Sequence, residues 1–155
     1  MCGRFINLNK KNSLKKIFNS NSVLNDELIS YNISPTKKTF IIFNKNNINI
    51  EVAKWGFSFI DKKNNQEKNI INSRLETIND KIIFSESYSK RKCLIPLNGY
   101  FEWSFKKQNK TPYFIHIPPV ETMYLAGIWK YNHYKKNNSK IFTIITKKSN
   151  LNLSS

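Results

Sequence analysis

The sequence predicts an α+β fold: a strand-rich, partly closed antiparallel β-barrel-like core with a few peripheral helices. Two observations favour this class. Five short apolar runs follow one another at close spacing between residues 93 and 146, and sustained helical periodicity is confined to residues 13–29. Strands joined by short turns pair antiparallel, so we expect the runs to form one sheet that curls on itself.

The N-terminal third combines a helix and a loop. Apolar residues recur at i, i+3 and i+4 within residues 13–29, which predicts a helix capped by Ser13 and broken at residues 19–22. Residues 31–36 are predicted to form an ordered loop, because Pro35 disfavours helical geometry at the residue before it.

Strand patterns dominate the middle of the chain. Residues 40–43 and 48–53 are apolar or alternating and are separated by a polar turn, which predicts a hairpin. Residues 61–69 are polar and predict a solvated loop. A short helix is expected after Asn72–Thr77, and the charged run Ser89–Lys92 is predicted to be a turn.

The C-terminal half contains the five predicted strands. They are residues 93–97, 100–105, 112–117, 123–129 and 140–146. Asn98-Gly99 separates the first two, and this dipeptide is a strong signal for a two-residue β-hairpin turn.

Length and composition indicate one domain with a substantial core. The chain has 155 residues, of which 39% are hydrophobic and 14% aromatic. No apolar run reaches the roughly 18 residues that span a membrane, and lysines interrupt any signal-peptide pattern in residues 1–20. We therefore expect a cytoplasmic protein, or a nuclear one in a eukaryote.

The net charge of +16 indicates a polyanionic partner, and nucleic acid is the commonest one. Part of this charge reflects the richness of the chain in Asn, Lys and Ile. Only Cys2 and Cys93 are present, too few for a disulfide framework or a cysteine-rich zinc site. No metal or cofactor is expected, and Cys93 is predicted to be a buried strand residue.

Cys2 carries the most specific chemistry in the sequence. If Met1 is removed, Cys2 presents a thiol and a free α-amine on one residue, with ordinary pKa values near roughly 8.5 and 8. Such a 1,2-aminothiol can attack a carbonyl with its own amine as base. It can also condense with an aldehyde to an imine, which the thiol closes to a thiazolidine.

Four segments together resemble the SRAP family, the SOS response-associated peptidases that process abasic sites in DNA. The segments are Met1–Phe5, Asn72–Thr77, Cys93–Trp103 and Leu125–Trp129. They occur in the family's order and spacing over almost the whole chain. The second motif has Ser73 where the family usually has alanine.

The resemblance implies a catalytic set of Cys2, Asn72 and Glu102. Cys2, freed of Met1 by the family's peptidase activity, would bond as a thiazolidine to the aldehyde of an abasic site in single-stranded DNA. Asn72 would orient the nucleophile through its neutral amide, and Glu102 would shuttle protons. The resemblance implies chemistry of the hydrolase or lyase class, acting in the DNA damage response.

The resemblance also implies DNA contacts. Arg4 and Arg74 match positions that bind phosphates beside the lesion, where charge-assisted bidentate bonds favour arginine. Trp103 and Pro35 match positions that stack on bases or wedge between them. Trp55 and Trp129 are interpreted as core residues, and the protein is expected to act as a monomer.

One family feature is not found. The family has a histidine followed closely by Arg, Met and Pro after the stretch that resembles residues 141–150, and the sequence ends at Ser155 before that point. Neither His116 nor His133 matches it. We therefore expect a C-terminally truncated SRAP-like domain over residues 1–155, with slowed chemistry.

Two alternatives remain open from the sequence. Glutamine amidotransferases with an N-terminal nucleophile also begin Met-Cys-Gly, although Arg4, the charge and the Asn72 and Glu102 motifs favour DNA processing. A non-catalytic single-stranded DNA-binding remnant of the family would keep the basic surface and lose turnover, which the missing histidine favours.

Overall fold

The structure is a computed structural model, and it describes residues 2–23, 28–61, 63–106, 109–132 and 139–148. Its helices are α1 Lys11–Ile17 and α2 Ile82–Lys90, with a 3-10 turn at Leu75–Thr77. The strands are β1 Phe5–Asn7, β2 Ser30–Ile33, β3 Lys38–Lys45, β4 Asn47–Trp55, β5 Phe57–Asp61, β6 Gln66–Ile70, β7 Asn72–Arg74, β8 Lys92–Leu97, β9 Gly99–Lys106, β10 Asn109–Ile115, β11 Met123–Tyr131 and β12 Lys140–Thr146. None of the helices in these ranges has the length and apolar character needed to cross a membrane.

Five strands close into a barrel, which confirms the predicted α+β class. They are hydrogen-bonded in the order β11-β8-β3-β4-β12, and β12 pairs again with β11 to complete the ring. The barrel pairs are antiparallel, as expected, except where β12 meets β4. β12 runs parallel to both β4 and β7. One parallel pair is required within the barrel, because a closed ring of five strands cannot alternate in direction throughout.

A second sheet packs beside the barrel and contains the N-terminal strand. Its order is β10-β9-β1-β2, with Phe5 opposite Tyr100 on one side and Ile33 on the other. The strands β5 and β6 form a separate antiparallel hairpin.

The largest buried cluster joins the second sheet to the barrel. Phe5 of β1 packs 5.0 Å from Trp55 of β4, measured between ring centroids, and both side chains are fully buried. Trp129 and Phe142 belong to the same cluster, so the expectation that Trp55 and Trp129 are core residues is confirmed. Cys93 is also buried there, as predicted. Burial of aromatic rings on this scale contributes several kcal/mol and fixes β1 on the barrel.

The predicted helix over residues 13–29 is shorter than expected. α1 begins at Lys11, so Ser13 lies inside it and does not cap it. It ends at Ile17, and Asn19 takes a left-handed conformation with φ 46°. Beyond that point Ser20 Oγ donates to the Ile48 carbonyl, which draws the chain onto β4. Residues 24–27 lie outside the described residues.

Two predicted loops contain strands. Residues 30–33 form β2 because they can pair with β1, and the turn at Pro35 follows only afterwards. Residues 66–70 form β6, paired along its length with β5, although the segment is polar. In both cases pairing with a neighbouring strand satisfies the hydrogen-bonding groups of the backbone. A local sequence pattern does not show which segment will be the partner. The hairpin of β3 and β4 and the presence of the helix α2 agree with prediction. The turn predicted over Ser89–Lys92 is wrong, since α2 continues to Lys90 and β8 begins at Lys92.

The prediction of a β-hairpin at Asn98-Gly99 is wrong. β8 pairs with β3 and β11 of the barrel, whereas β9 pairs with β1 and β10 of the second sheet. The chain leaves the barrel and enters the second sheet at Asn98. Its Oδ1 accepts hydrogen bonds from the Leu8 backbone N–H at 2.7 Å and from Asn9 Nδ2 at 3.2 Å. The buried amide therefore connects the segment after β1 to the junction of the sheets.

Candidate active site

Cys2 lies at the junction of the barrel and the second sheet, directly before β1. Its side chain is 5% exposed and belongs to the main core cluster. Burial raises the pKa of the Cys2 thiol to about 11, and the negative charge of Glu102 adds to the rise. At neutral pH the thiol is therefore protonated, and its nucleophilic form requires a base beside it.

Asn72 contacts Cys2 directly. Its Nδ2 donates to the Cys2 backbone carbonyl at 2.9 Å, across 70 residues of sequence. The other amide atom, Oδ1, is buried and has no hydrogen-bond partner within the described part of the chain. An unpaired buried acceptor costs about 1–3 kcal/mol, so it is a candidate position for a ligand donor.

The position of Asn72 is set by β7 and its neighbours. Trp55 Nε1 and the Ile144 backbone N–H both donate to the carbonyl of Ile71, at 2.9 and 3.1 Å. Ser73, which replaces the family's usual alanine, is fully buried and donates from Oγ to the Ile144 carbonyl at 3.4 Å. Residues on both sides of Asn72 are therefore tied to the barrel, and its amide is held against Cys2.

Glu102 lies on β9, on the same face as Tyr100. The alternation of a strand puts residues 100 and 102 on one side, as the sequence predicts. Burial raises the pKa of Tyr100, and the charges of Glu102 and Cys2 add to the rise. Tyr100 is opposite Phe5 in the β1–β9 register, and the effects of Glu102 on the pKa of Cys2 and of both on the pKa of Tyr100 agree with a common neighbourhood.

The two predicted phosphate-binding arginines lie in separate segments, one before β1 and one at the end of β7. Arg4 precedes β1, and its Nη1 donates to Asn32 Oδ1 of β2 at 2.7 Å. Arg74 ends β7 two residues after Asn72, which places both side chains on one face of that strand, and Arg74 is exposed. Neither arginine belongs to an ion pair between described residues that would occupy its guanidinium.

The two predicted base contacts lie elsewhere. Pro35 is half-buried in the turn after β2, next to Thr36, whose backbone N–H donates to the Trp55 carbonyl at 2.9 Å. Trp103 lies on β9 between Glu102 and Ser104, so strand alternation directs it to the face opposite Glu102. On its own face it is opposite Pro112 of β10.

The histidines do not join the site in the described residues. His116 follows β10, and its ring stacks 5.1 Å from that of Phe114. Phe114 pairs with Phe101, on the face of the sheet opposite Glu102. His133 lies outside the described residues.

Sequence reasoning missed one residue beside the site, Tyr113. This residue of β10 is directly opposite Glu102 in the β9–β10 register and is 55% exposed. The aromatic run Pro112–Phe114 is visible in the sequence, but the register that sets Tyr113 beside Glu102 depends on the pairing of two strands.

Comparisons with known proteins agree on the family. The family model described as SOS response associated peptidase (SRAP) matches residues 1–155. Abasic site processing protein YMR114C of Saccharomyces cerevisiae is 34% identical over 120 residues, which are 76% of this chain and 32% of that protein. Abasic site processing protein YoqW of Bacillus subtilis is 29% identical over 158 residues, covering 97% of this chain and 70% of that protein.

Solved structures share the fold. A Bacteroides thetaiotaomicron protein superposes with TM-score 0.73 at 23% identity, over 96% of this chain and 69% of that one. A Bordetella bronchiseptica protein has TM-score 0.75 at 16% identity, over 99% of this chain and 75% of that one. The chain thus spans about a third of the yeast relative and 70% of the Bacillus one. The match of the family model over the whole sequence establishes that this chain belongs to the SRAP family.

Proposed function

We propose that this protein processes abasic sites by forming a covalent crosslink between Cys2 and the aldehyde of the lesion in single-stranded DNA. The observation that carries the proposal is the contact of Asn72 with the backbone of Cys2, at a position coupled electrostatically to Glu102. The abasic site processing proteins of yeast and Bacillus support the choice of substrate.

The proposed reaction needs no external oxidant or cofactor. Hydrolysis of the Met1–Cys2 peptide bond consumes one water and frees the α-amine of Cys2. The amine adds to the aldehyde carbon and loses one water to give an imine. The thiol sulfur then adds to the imine carbon while its proton passes to nitrogen, which closes the thiazolidine ring. The net crosslinking step joins aldehyde and aminothiol with release of one water.

The side chains present can serve these steps. The Asn72 Nδ2 bond fixes the Cys2 backbone, and its unpaired Oδ1 offers an acceptor for an N–H of the freed α-amine. The Cys2 thiol has a pKa of about 11 and needs a base to reach its thiolate form. Glu102 can donate a proton to the leaving hydroxyl during dehydration, and it can then accept the thiol proton and pass it to the ring nitrogen during closure.

The partner and its setting follow from the charge. A net charge of +16 supports binding of a polyanion, and Arg4 before β1 and Arg74 at the end of β7 provide guanidinium groups for phosphates. We infer that a monomer binds single-stranded DNA, in the cytoplasm or in a nucleus. Pro35 and Trp103 would contact bases at the margin of this surface.

The test is incubation with a single strand that contains one abasic site, followed by denaturing electrophoresis. We expect a shifted band that survives denaturation and is absent with Cys2→Ser. It should also be absent when borohydride has first reduced the sugar aldehyde to an alcohol. An adduct that persists with Cys2→Ser would place the nucleophile elsewhere, for example at a lysine.

Removal of Met1 is tested separately by intact-mass spectrometry. We expect the purified protein to lack one methionine, and Glu102→Gln and Asn72→Ala variants expressed without added aminopeptidase to retain more of it. Complete retention of Met1 in the wild-type protein would contradict the thiazolidine mechanism, because an acylated nitrogen cannot form the ring.

A second candidate is a binding protein of the same family without turnover. The protonated state of the buried Cys2 thiol favours it, because an unassisted thiol of pKa about 11 is mostly unreactive at neutral pH. The same electrophoresis separates the candidates, since a binding protein would shift native gels and leave denaturing gels unchanged.

A further inference from the structure

We propose that Tyr113 is a stacking platform for the nucleobase that neighbours the abasic site, an inference that rests on the proposed function. Together with Tyr100 and Ile115 it forms a partly exposed apolar surface, here named the β10 ledge. The ledge lies on the same face of the second sheet as Glu102.

The strand register carries the placement. In the β9–β10 pair Tyr113 is directly opposite Glu102, and Ile115 is directly opposite Tyr100. Side chains directly opposite each other in an antiparallel pair lie on the same face, with Cβ atoms about 4.5–5.5 Å apart. Tyr113 is therefore one side chain away from the carboxylate proposed to move protons at Cys2.

The ledge is open to a ligand. Tyr113 is 55% exposed and Ile115 is 38% exposed, and β10 is the outermost strand in the sheet order β10-β9-β1-β2. A tyrosine ring exposed in this way presents an apolar face and a polar hydroxyl, a combination that suits contact with a flat ligand.

Tyr113 is also held in place from behind. Its neighbour Phe114 points to the other face, where its ring packs against Gly99 so closely that a Cβ on that glycine would lie 2.4 Å from it. The same ring lies 5.2 Å from that of Phe101. This packing fixes the backbone of β10, so the Tyr113 ring is presented by a rigid strand and loses little entropy on binding.

A nucleobase fits this surface better than another apolar group does. A base next to an abasic site has lost its stacking partner on one side, and an aromatic side chain can replace that partner without reading sequence. The net charge of +16 supplies attraction for the phosphates and none for an apolar peptide. Trp103, on the opposite face of β9, cannot reach the same base from Glu102's side.

The experiment measures binding without covalent chemistry. A single strand carries a tetrahydrofuran in place of the abasic sugar, so that no aldehyde is present, and affinity is measured by fluorescence anisotropy. Two further strands lack the neighbouring base on the 5′ or the 3′ side. For the wild-type protein, loss of one of these bases should weaken binding about five- to hundredfold, the range of a base–aromatic stack.

Variants complete the cycle. Tyr113→Ala should weaken binding of the full strand by a similar factor, and removal of the same base should then have no further effect. Tyr113→Phe keeps the aromatic ring, so the full DNA strand should again bind more tightly than the strand that lacks the neighbouring base. Tyr31→Ala is the matched control, since Tyr31 is 73% exposed on the opposite edge strand of the same sheet. Tyr31→Ala should leave the affinity difference between the full DNA strand and the base-deleted strand unchanged.

Two results would overturn the inference. Either base deletion could be without effect on the wild-type protein, or Tyr113→Ala could weaken all strands while each base deletion keeps its full effect. In either case the protein would still crosslink to abasic DNA, so these results can be distinguished from a failure of the proposed function. A wild-type protein that binds none of the strands and forms no adduct would overturn both.

Discussion

Asn72 donates a hydrogen bond from Nδ2 to the backbone carbonyl of Cys2 at 2.9 Å, although the two residues are 70 positions apart. The bond connects a strand added to the barrel by parallel pairing with the segment that enters the second sheet. The candidate nucleophile is therefore positioned by both sheets at once.

Asn72→Ala should slow adduct formation more than it destabilises the fold. Loss of one hydrogen bond costs about 0.5–1.5 kcal/mol, and the same variant removes the buried unpaired Oδ1. We expect urea midpoints close to wild type and single-turnover crosslinking reduced about tenfold or more. Asn72→Asp is the matched control for shape, and its buried negative charge should raise the pKa of Cys2 further. Equal crosslinking rates in wild type and Asn72→Ala would contradict the positioning role.

Alkylation of Cys2 should depend steeply on pH. Because burial raises the pKa of Cys2 in the folded protein to about 11, the thiolate fraction rises about tenfold per pH unit between pH 8 and 10. A folded-state pKa that is raised also stabilises the fold below pH 9, and this contribution is lost as the pH rises towards 11. Iodoacetamide labelling followed by peptide mass spectrometry measures the profile, with buried Cys93 as an internal control.

Glu102→Gln should change alkylation and crosslinking in opposite directions. The Glu102 charge contributes to the raised pKa of Cys2, although burial contributes more. Its removal should speed alkylation at pH 8, because the Cys2 thiol then ionises more readily. Crosslinking should slow by about 10²-fold or more if Glu102 transfers protons. Slower alkylation together with unchanged crosslinking would show that Glu102 plays neither part.

Arg74→Ala should weaken binding of single-stranded DNA and reduce its salt dependence. If Arg74 neutralises one phosphate, the slope of log affinity against log salt should change by about 0.7. Lys63→Ala is the charge-matched control, since Lys63 is exposed near the turn of the β5–β6 hairpin. Titrations at several salt concentrations measure the affinity and the salt slope of both variants. An identical change of slope in Arg74→Ala and Lys63→Ala would reflect only the loss of one positive charge and would contradict a phosphate contact of Arg74.

Gly99→Ala should destabilise the second sheet. A Cβ at Gly99 would lie 2.4 Å from the Phe114 ring and 2.9 Å from the Ile115 carbonyl oxygen, whereas a Cβ at Gly3 meets nothing within 4 Å. Overpacking of this kind costs about 1–3 kcal/mol. Urea denaturation should show the loss for Gly99→Ala and not for Gly3→Ala. Equal stabilities would mean that β10 moves away from β9 without cost.

The sequence by itself determined the local structure and the chemistry of single residues. Short apolar runs, with alternation in residues 48–53, predicted β3, β4 and the five C-terminal strands. It also predicted Cys93, Trp55 and Trp129 as core residues. The motifs around Cys2, Asn72 and Glu102 indicated the family, which the match over the whole chain confirms.

Only the tertiary structure decided which strands are neighbours. Asn98-Gly99 has the sequence of a hairpin turn, but Asn98 is held by Leu8 and Asn9 and separates two sheets. Strand β12 runs parallel to β4 and β7, and polar β6 is a strand because β5 pairs with it. Register is likewise non-local, and it alone places Tyr113 opposite Glu102. Pairing is decided by the free energy of burying the whole core, to which residues distant in sequence contribute together.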